Sequence, residues 1–201
     1  MKRILLSGFE PFGKHETNPS WDALKLAADT GLLPSDTHIT RLPVEYARTF
    51  DAYATAVEAI KPTTAISFGL HSRPAPESQS VIYIETVARN RDGATKPDNA
   101  GRQHAEGPIL ADAPDTLAAT FPAAALVGAL KEAGFNAEVS DDAGRYLCNH
   151  LFYRALHSYS GRFPYGFVHV PPVDSMGGAL SLQDLARAMA ILANTLDTQT
   201  A

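Results

Sequence analysis

Apolar residues recur along this chain with two periods, and the alternation of the two predicts its architecture. Residues 3–7, 64–69 and 166–170 are short, nearly continuous apolar runs bounded by Gly or Pro, the pattern of strands covered on both faces. Residues 37–42 and 81–87 read as further strands, the second rich in β-branched residues and interrupted by one carboxylate, Glu85. A shorter apolar strand is centred on Val139. Between these runs the period lengthens. Trp21, Leu24 and Ala28 form the stripe of a helix with Asn18 as N-cap and Pro19 in its first position. Phe50, Tyr53, Val57 and Ile60 predict a helix over 46–60, stopped by Pro62, and 122–133 predicts another, closed by Gly134. Leu147, Leu151, Ala155 and Leu156 mark a fourth. Ser181 with Asp184 makes a capping-box start for a last helix, which reaches about Leu196.

Strands alternating with helical segments of roughly ten to fifteen residues predict an α/β protein. In such open sheets ligands bind beyond the carboxyl ends of the strands. The Gly8–Gly13 turn, Glu85, the turn before Cys148, and His169 are all expected there. The polar segment 89–116, rich in Gly, Pro and Asp, is long for a structureless connection in a compact domain and is read as functional.

Composition narrows the class. With 201 residues, 45% hydrophobic and 19% charged, the chain fits one globular domain spanning 1–201. The net charge of −5 is spread along the sequence without a Lys/Arg stripe, so nucleic acid is not an expected partner. One cysteine excludes an intrachain disulfide, and the first apolar run is too short for a signal segment or a membrane span. The expectation is a soluble cytoplasmic protein with no membrane partner.

Cys148, in the first turn of the fourth helix, is the first candidate for chemistry. There the unpaired backbone N–H groups and the positive end of the helix dipole favour a thiolate, although most free cysteines are simply small buried hydrophobes. Partners decide between the two. Cysteine acyl transfer needs an imidazole to carry the proton and a carboxylate or amide to orient it, and His169 and Glu85 are of the right types. The stretch from Gly8 to His15 nearly matches a phosphate-binding loop. However, His15 stands where a hydroxyl is needed and Pro11 removes an amide donor. The seven histidines form no metal signature by spacing, and His150 and His157 are read as helix-face residues. Neither a metal nor a cofactor is implied.

Gly8-Phe9-Glu10-Pro11-Phe12-Gly13 with Asn18-Pro19-Ser20, Glu85-Thr86-Val87-Ala88, Pro97-Asp98-Asn99, Ala143-Gly144-Arg145-Tyr146-Leu147-Cys148-Asn149 and Gly166-Phe167-Val168-His169-Val170-Pro171 follow one another along the chain. Together they resemble, in the same order, the pyroglutamyl peptidase I (pyrrolidone-carboxylate peptidase) family of cysteine peptidases. The resemblance runs from the first strand to the last helix. It implies a three-layer α/β/α sandwich with a mostly parallel twisted central sheet, and a catalytic triad of Glu85, Cys148 and His169. The implied substrates are peptides with N-terminal pyroglutamate, cleaved by this exopeptidase through a thioester. It also implies that Tyr146 and Leu147 touch the substrate ring. A small, flat, neutral lactam calls for apolar walls, which Phe9 and Phe12 can supply, with Leu70 beside them.

The chain departs from the family in two places. The run from Gly69 to Pro74 stands where the family often has a glycine-rich loop, and Thr95-Lys96 stands where many members carry an Arg followed by an apolar residue. That Arg is associated with the oxyanion, which leaves Arg91 and Lys96 as candidates beside the Cys148 backbone N–H. Family members commonly form homotetramers, which sets the expected assembly. A non-catalytic relative that binds a pyroglutamyl ligand or senses oxidants through Cys148 is the alternative.

Overall fold

The computed structural model describes residues 2–71 and 80–199. Six strands form one sheet: β1 (Ile4–Phe9), β2 (Thr37–Leu42), β3 (Thr64–Leu70), β4 (Ile82–Glu85), β7 (Ala137–Ser140) and β8 (Tyr165–Val170). They lie in the order β2-β1-β3-β8-β4-β7. Helices α1 (Pro19–Asp29), α3 (Ala123–Glu132) and α5 (Leu182–Gln199) cover one face, and α2 (Thr49–Ile60) and α4 (Leu147–Tyr159) cover the other. This is the three-layer α/β/α sandwich expected. Strand alternation divides the core: Ile4, Leu6, Ile66, Phe68, Val168 and Val170 face the first helix layer, while Leu5, Phe9, Ala65, Tyr165 and Phe167 face the second.

The sheet is mostly parallel, with one reversal. β4 runs parallel to β7 but antiparallel to β8, so that Tyr83 lies opposite His169 and Glu85 opposite Phe167. Glu85 ends β4, but because that strand is reversed its carboxyl end lies level with Phe167, which places Glu85 diagonal to His169.

Several expected elements are resized. The run 81–87 is broken at Thr86, whose N–H and hydroxyl both donate to the Ser140 carbonyl oxygen, at 2.7 and 2.9 Å. Beyond the break, β5 (Val87–Arg89) leaves the sheet and pairs with β6 (Thr116–Ala118). These two short strands clip together the ends of the long polar segment. α2 starts at Thr49 rather than 46; the Tyr46 N–H donates to the Asp98 carboxylate (2.9 Å), and the Thr49 hydroxyl donates to the carbonyls of Pro43 (2.7 Å) and Glu45 (2.8 Å). The buried stripe of α1 is Ala23, Leu24 and Ala27, with Trp21 and Ala28 at its margins. Val139, the centre of the expected short apolar strand, lies on the edge strand β7 and is 58% exposed. The caps hold as read: Asn18 Oδ1 accepts the Ser20 N–H (3.1 Å), and Ser181 Oγ accepts the Asp184 N–H (3.0 Å). Among the described residues no helix is long and apolar enough to cross a membrane.

Candidate active site

The turn after β1 and the start of α1 are one unit. Gly8 has no room for a side chain, since a Cβ there would lie 2.3 Å from the Ser20 carbonyl oxygen. Phe9 N–H donates to Ser20 Oγ (3.1 Å), and the Asn18 amide donates to the Glu10 carbonyl (2.9 Å). Glu10 Oε1 accepts the Val44 N–H and the Asn99 side-chain amide, each at 3.0 Å. The Pro97-Asp98-Asn99 motif thereby fastens the long polar segment to this turn. The Tyr146 hydroxyl, donating to the Pro97 carbonyl at 2.9 Å, ties the same segment to the start of α4.

Tyr146 is the N-cap of α4, which places Leu147 and Cys148 in its first two positions. Asn149 fixes the helix against β5: its amide donates to the carbonyls of Arg89 (2.8 Å) and Arg91 (3.0 Å), and its Oδ1 accepts the Arg89 N–H (2.9 Å). Three carbonyl and amide contacts from one buried side chain leave little freedom in the height of Cys148. Gly69, paired with His169 across β3 and β8, makes space for the sulfur; a Cβ at Gly69 would approach Cys148 Sγ to 2.8 Å.

His169 stands between Cys148 and Glu85. Its Nδ1 donates to Glu85 Oε1 at 2.8 Å, which leaves Nε2 as the nitrogen available to the sulfur. Glu85 is 0% exposed and His169 only 6%. Burial by itself pulls the imidazole pKa down, but the neighbouring Cys148 charge, a hydrogen bond to Cys148 and the Glu85 carboxylate outweigh it. The pKa rises from 6.5 to about 9. The site thus stabilises an imidazolium at neutral pH.

Cys148 and His169 open into a cavity of about 890 Å³. Phe9, Phe12, Leu70, Tyr146 and Leu147 all line it, whereas Glu85 lies behind His169 and does not. Ser72, Arg73 and Pro74 of the departing loop lie outside the described residues. Of the two cations proposed beside the Cys148 N–H, Lys96 lines the cavity, with its ammonium 4.9 Å from the Phe12 ring centre and 4.8 Å from that of Tyr146. Arg91 instead pairs with Glu106, which Arg145 also contacts (3.2 Å). The wall is therefore aromatic with one positive charge on it, less purely apolar than the sequence led us to expect. Gly69 and Asn149 were missed as site-building residues. A glycine near the end of a buried strand was the signal available for the first; the second carries none beyond its position after the cysteine.

The sequence profile described as pyroglutamyl peptidase matches residues 2–190. The chain belongs to this family. Pyrrolidone-carboxylate peptidase of Chromobacterium violaceum is 39% identical over 171 residues, covering 85% of this chain and 78% of that one. That of Aliivibrio fischeri is 35% identical over 202 residues, covering 98% and 93%. Among solved structures, pyroglutamyl peptidase I of Bacillus amyloliquefaciens superposes with a TM-score of 0.89 at 29% identity, over 98% of each chain. Pyrrolidone carboxyl peptidase of Thermococcus litoralis gives 0.86 at 29% identity, over 100% of this chain and 95% of that one. Membership in the pyroglutamyl peptidase family thus spans both helix layers and every strand of the central sheet.

Proposed function

We propose that the chain is a cysteine exopeptidase that removes an N-terminal pyroglutamyl residue from peptides, with Cys148 as nucleophile, His169 as proton carrier and Glu85 as its orienting group. Family membership supports the activity. The observation that carries the residue roles is the line from buried Glu85 through His169 to Cys148 at the mouth of an aromatic-walled cavity.

The reaction follows from that line. The His169 imidazolium is the counter-charge of a Cys148 thiolate, which adds to the pyroglutamyl carbonyl carbon and forms a C–S bond. The oxyanion forms next to the Cys148 N–H, one of the donors that a helix start leaves unpaired. Nε2 of His169 gives its proton to the departing amine, the C–N bond breaks, and a thioester remains. Water, deprotonated by the now neutral His169, attacks the thioester and releases pyroglutamate with return of the thiolate. Glu85 keeps the proton on Nδ1, so the same nitrogen serves both halves of the cycle. Phe9, Phe12, Leu70, Tyr146 and Leu147 are the proposed contacts of the lactam ring.

Release of a chromophore from a pyroglutamyl amide by fresh, reduced protein tests the activity, and absence of turnover overturns it. The proposal includes one catalytic domain over 1–201, a cytoplasmic setting suited to a reduced thiol, and the homotetramer that the family resemblance implies. Scattering that shows a monomer at assay concentration would reject the assembly.

A further inference from the structure

A second cluster of ligand-type side chains, separate from Glu85, Cys148 and His169, joins the Cys148 helix to the long polar segment. Asp92, held by a backbone bridge to Gly107 in the long polar segment, is 3% exposed. Its Oδ2 lies 2.8 Å from His104 Nδ1 and 2.8 Å from His150 Nδ1, and the three ligand atoms all fall within 4.8 Å of one another. His150, read from the sequence as a helix-face residue, is instead 4% exposed and turned into this cluster. The residues stand 12 and 58 positions from Asp92 in the chain, which is why spacing does not reveal them.

Both imidazoles are held in place. His104 stacks on the Tyr46 ring at 3.8 Å and 11°, while His150 meets the same ring edge-on at 5.1 Å. Two polar atoms of the cluster, Asp92 Oδ1 and His150 Nε2, are buried with no hydrogen-bond partner among the described residues. A buried carboxylate commonly gathers donors on both oxygens, so one carrying two imidazoles on a single oxygen is poorly served by hydrogen bonds alone.

We propose that Asp92, His104 and His150 form a binding site for a divalent ion of the Zn²⁺ class, with the two Nδ1 atoms and a carboxylate oxygen as ligands. Two imidazoles and one carboxylate are a borderline set suited to zinc, cobalt or nickel rather than to calcium or magnesium. Zinc–ligand distances of about 2.0–2.2 Å put tetrahedral ligands roughly 3.3–3.5 Å apart, so each imidazole retreats from the carboxylate oxygen by about half an ångström while the two imidazole nitrogens, within 4.8 Å here, settle to the same spacing. The His104 side chain is 41% exposed, which opens a path for the ion and for a water as fourth ligand. The bound ion would pin the polar segment, including Lys96 at the cavity wall, to α4. It takes no part in the acyl transfer.

The test uses the full chain with Cys148 alkylated by iodoacetamide, so that the thiol and His169 do not capture the ion. Zn²⁺ is titrated in competition with a chromogenic chelator, and Co²⁺ is added separately for its visible spectrum. The proposal expects one equivalent of Zn²⁺, a tetrahedral Co²⁺ band, and a thermal midpoint raised by Zn²⁺. His104→Ala, chosen because this half-exposed residue is outside the catalytic line, removes a partner of Asp92 and of the Tyr46 ring, so its metal-free midpoint should fall modestly and serves as its own reference for any metal-induced shift. The variant should lose at least tenfold in Zn²⁺ affinity, the Co²⁺ band and the thermal shift. No stoichiometric binding by the alkylated wild type, or equal affinity in His104→Ala, would overturn the proposal.

Discussion

Gly69→Ala tests whether the backbone at the end of β3 is what leaves room for the nucleophile. The structure sets no left-handed backbone requirement at this residue, so the constraint is space alone. An added Cβ would lie 2.8 Å from Cys148 Sγ and 2.8 Å from Phe167 Cζ, where ordinary contact is about 3.5–4.0 Å. About 1 Å of movement is needed, and neither neighbour is a free end. Phe167 is fully buried against Phe9, Phe152 and His169, and Cys148 sits in the first turn of a helix fixed by Asn149. Overpacking of this kind destabilises by about 1–3 kcal/mol, and for a chain of this size each kcal/mol lowers the midpoint by about 2–4 °C. A misplacement of about 1 Å at reacting atoms costs on the order of 100-fold in rate. The assay is kcat/KM on a chromogenic pyroglutamyl amide alongside a thermal melt. Gly166→Ala is the control, since its Cβ would meet the Phe121 ring at 2.4 Å on the opposite face of the sheet. It should lose stability with kcat/KM nearly unchanged. If Gly69→Ala stayed within about threefold of wild-type kcat/KM, the reasoning about the sulfur's position would be refuted.

The His169 pair governs the pH dependence. With its pKa raised to about 9, activity should fall on the alkaline side as pH passes through that value. The raised pKa also stabilises the fold fully below about 6.5, and this contribution is lost as pH rises through about 9. Glu85→Gln removes one of the charges that raise it, so its alkaline limb should move to lower pH; an unmoved limb would dissociate Glu85 from His169. His169→Ala should lose more turnover than Glu85→Gln, because water can partly replace an orienting group but not the proton carrier, and the reverse order in steady-state kinetics would contradict the assignment. A prolyl amide should be a poor substrate, since its charged amine would lose water against aromatic walls that already carry the Lys96 ammonium. Comparable turnover of prolyl and pyroglutamyl amides would reject the ring pocket.

Much of this arrangement is legible in the chain because local rules and tertiary structure agree. Asn18-Pro19 and Ser181 with Asp184 start helices where capping chemistry says they should. Cys148, His169 and Glu85 are each placed by their own element. What was hidden depends on partners distant in sequence. Hydrophobic patterning marks residues 81–87 as extended but does not say which way the strand runs, so the reversal that buries Glu85 beneath His169 appears only in three dimensions. Tyr46 stands at the expected start of α2 yet lies outside the helix, with its N–H donating to Asp98, 52 residues away. Thr116–Ala118 is too short to stand out as a strand until Val87–Arg89 lies beside it. Asp92, His104 and His150 follow the same rule, converging from a loop and a helix with no spacing to announce them.

Turnover by Cys148→Ser, measured beside its melting curve and beside wild-type enzyme treated with EDTA, addresses the central claim most directly. An alcohol is far harder to ionise than a thiol, so the variant should fold with a near-native midpoint and lose roughly a thousandfold or more in kcat. EDTA should leave the wild type active, since no step passes through a metal, and iodoacetamide should silence it by modifying Cys148. Near-normal turnover by a folded Cys148→Ser, or loss of wild-type activity in EDTA, would contradict the account.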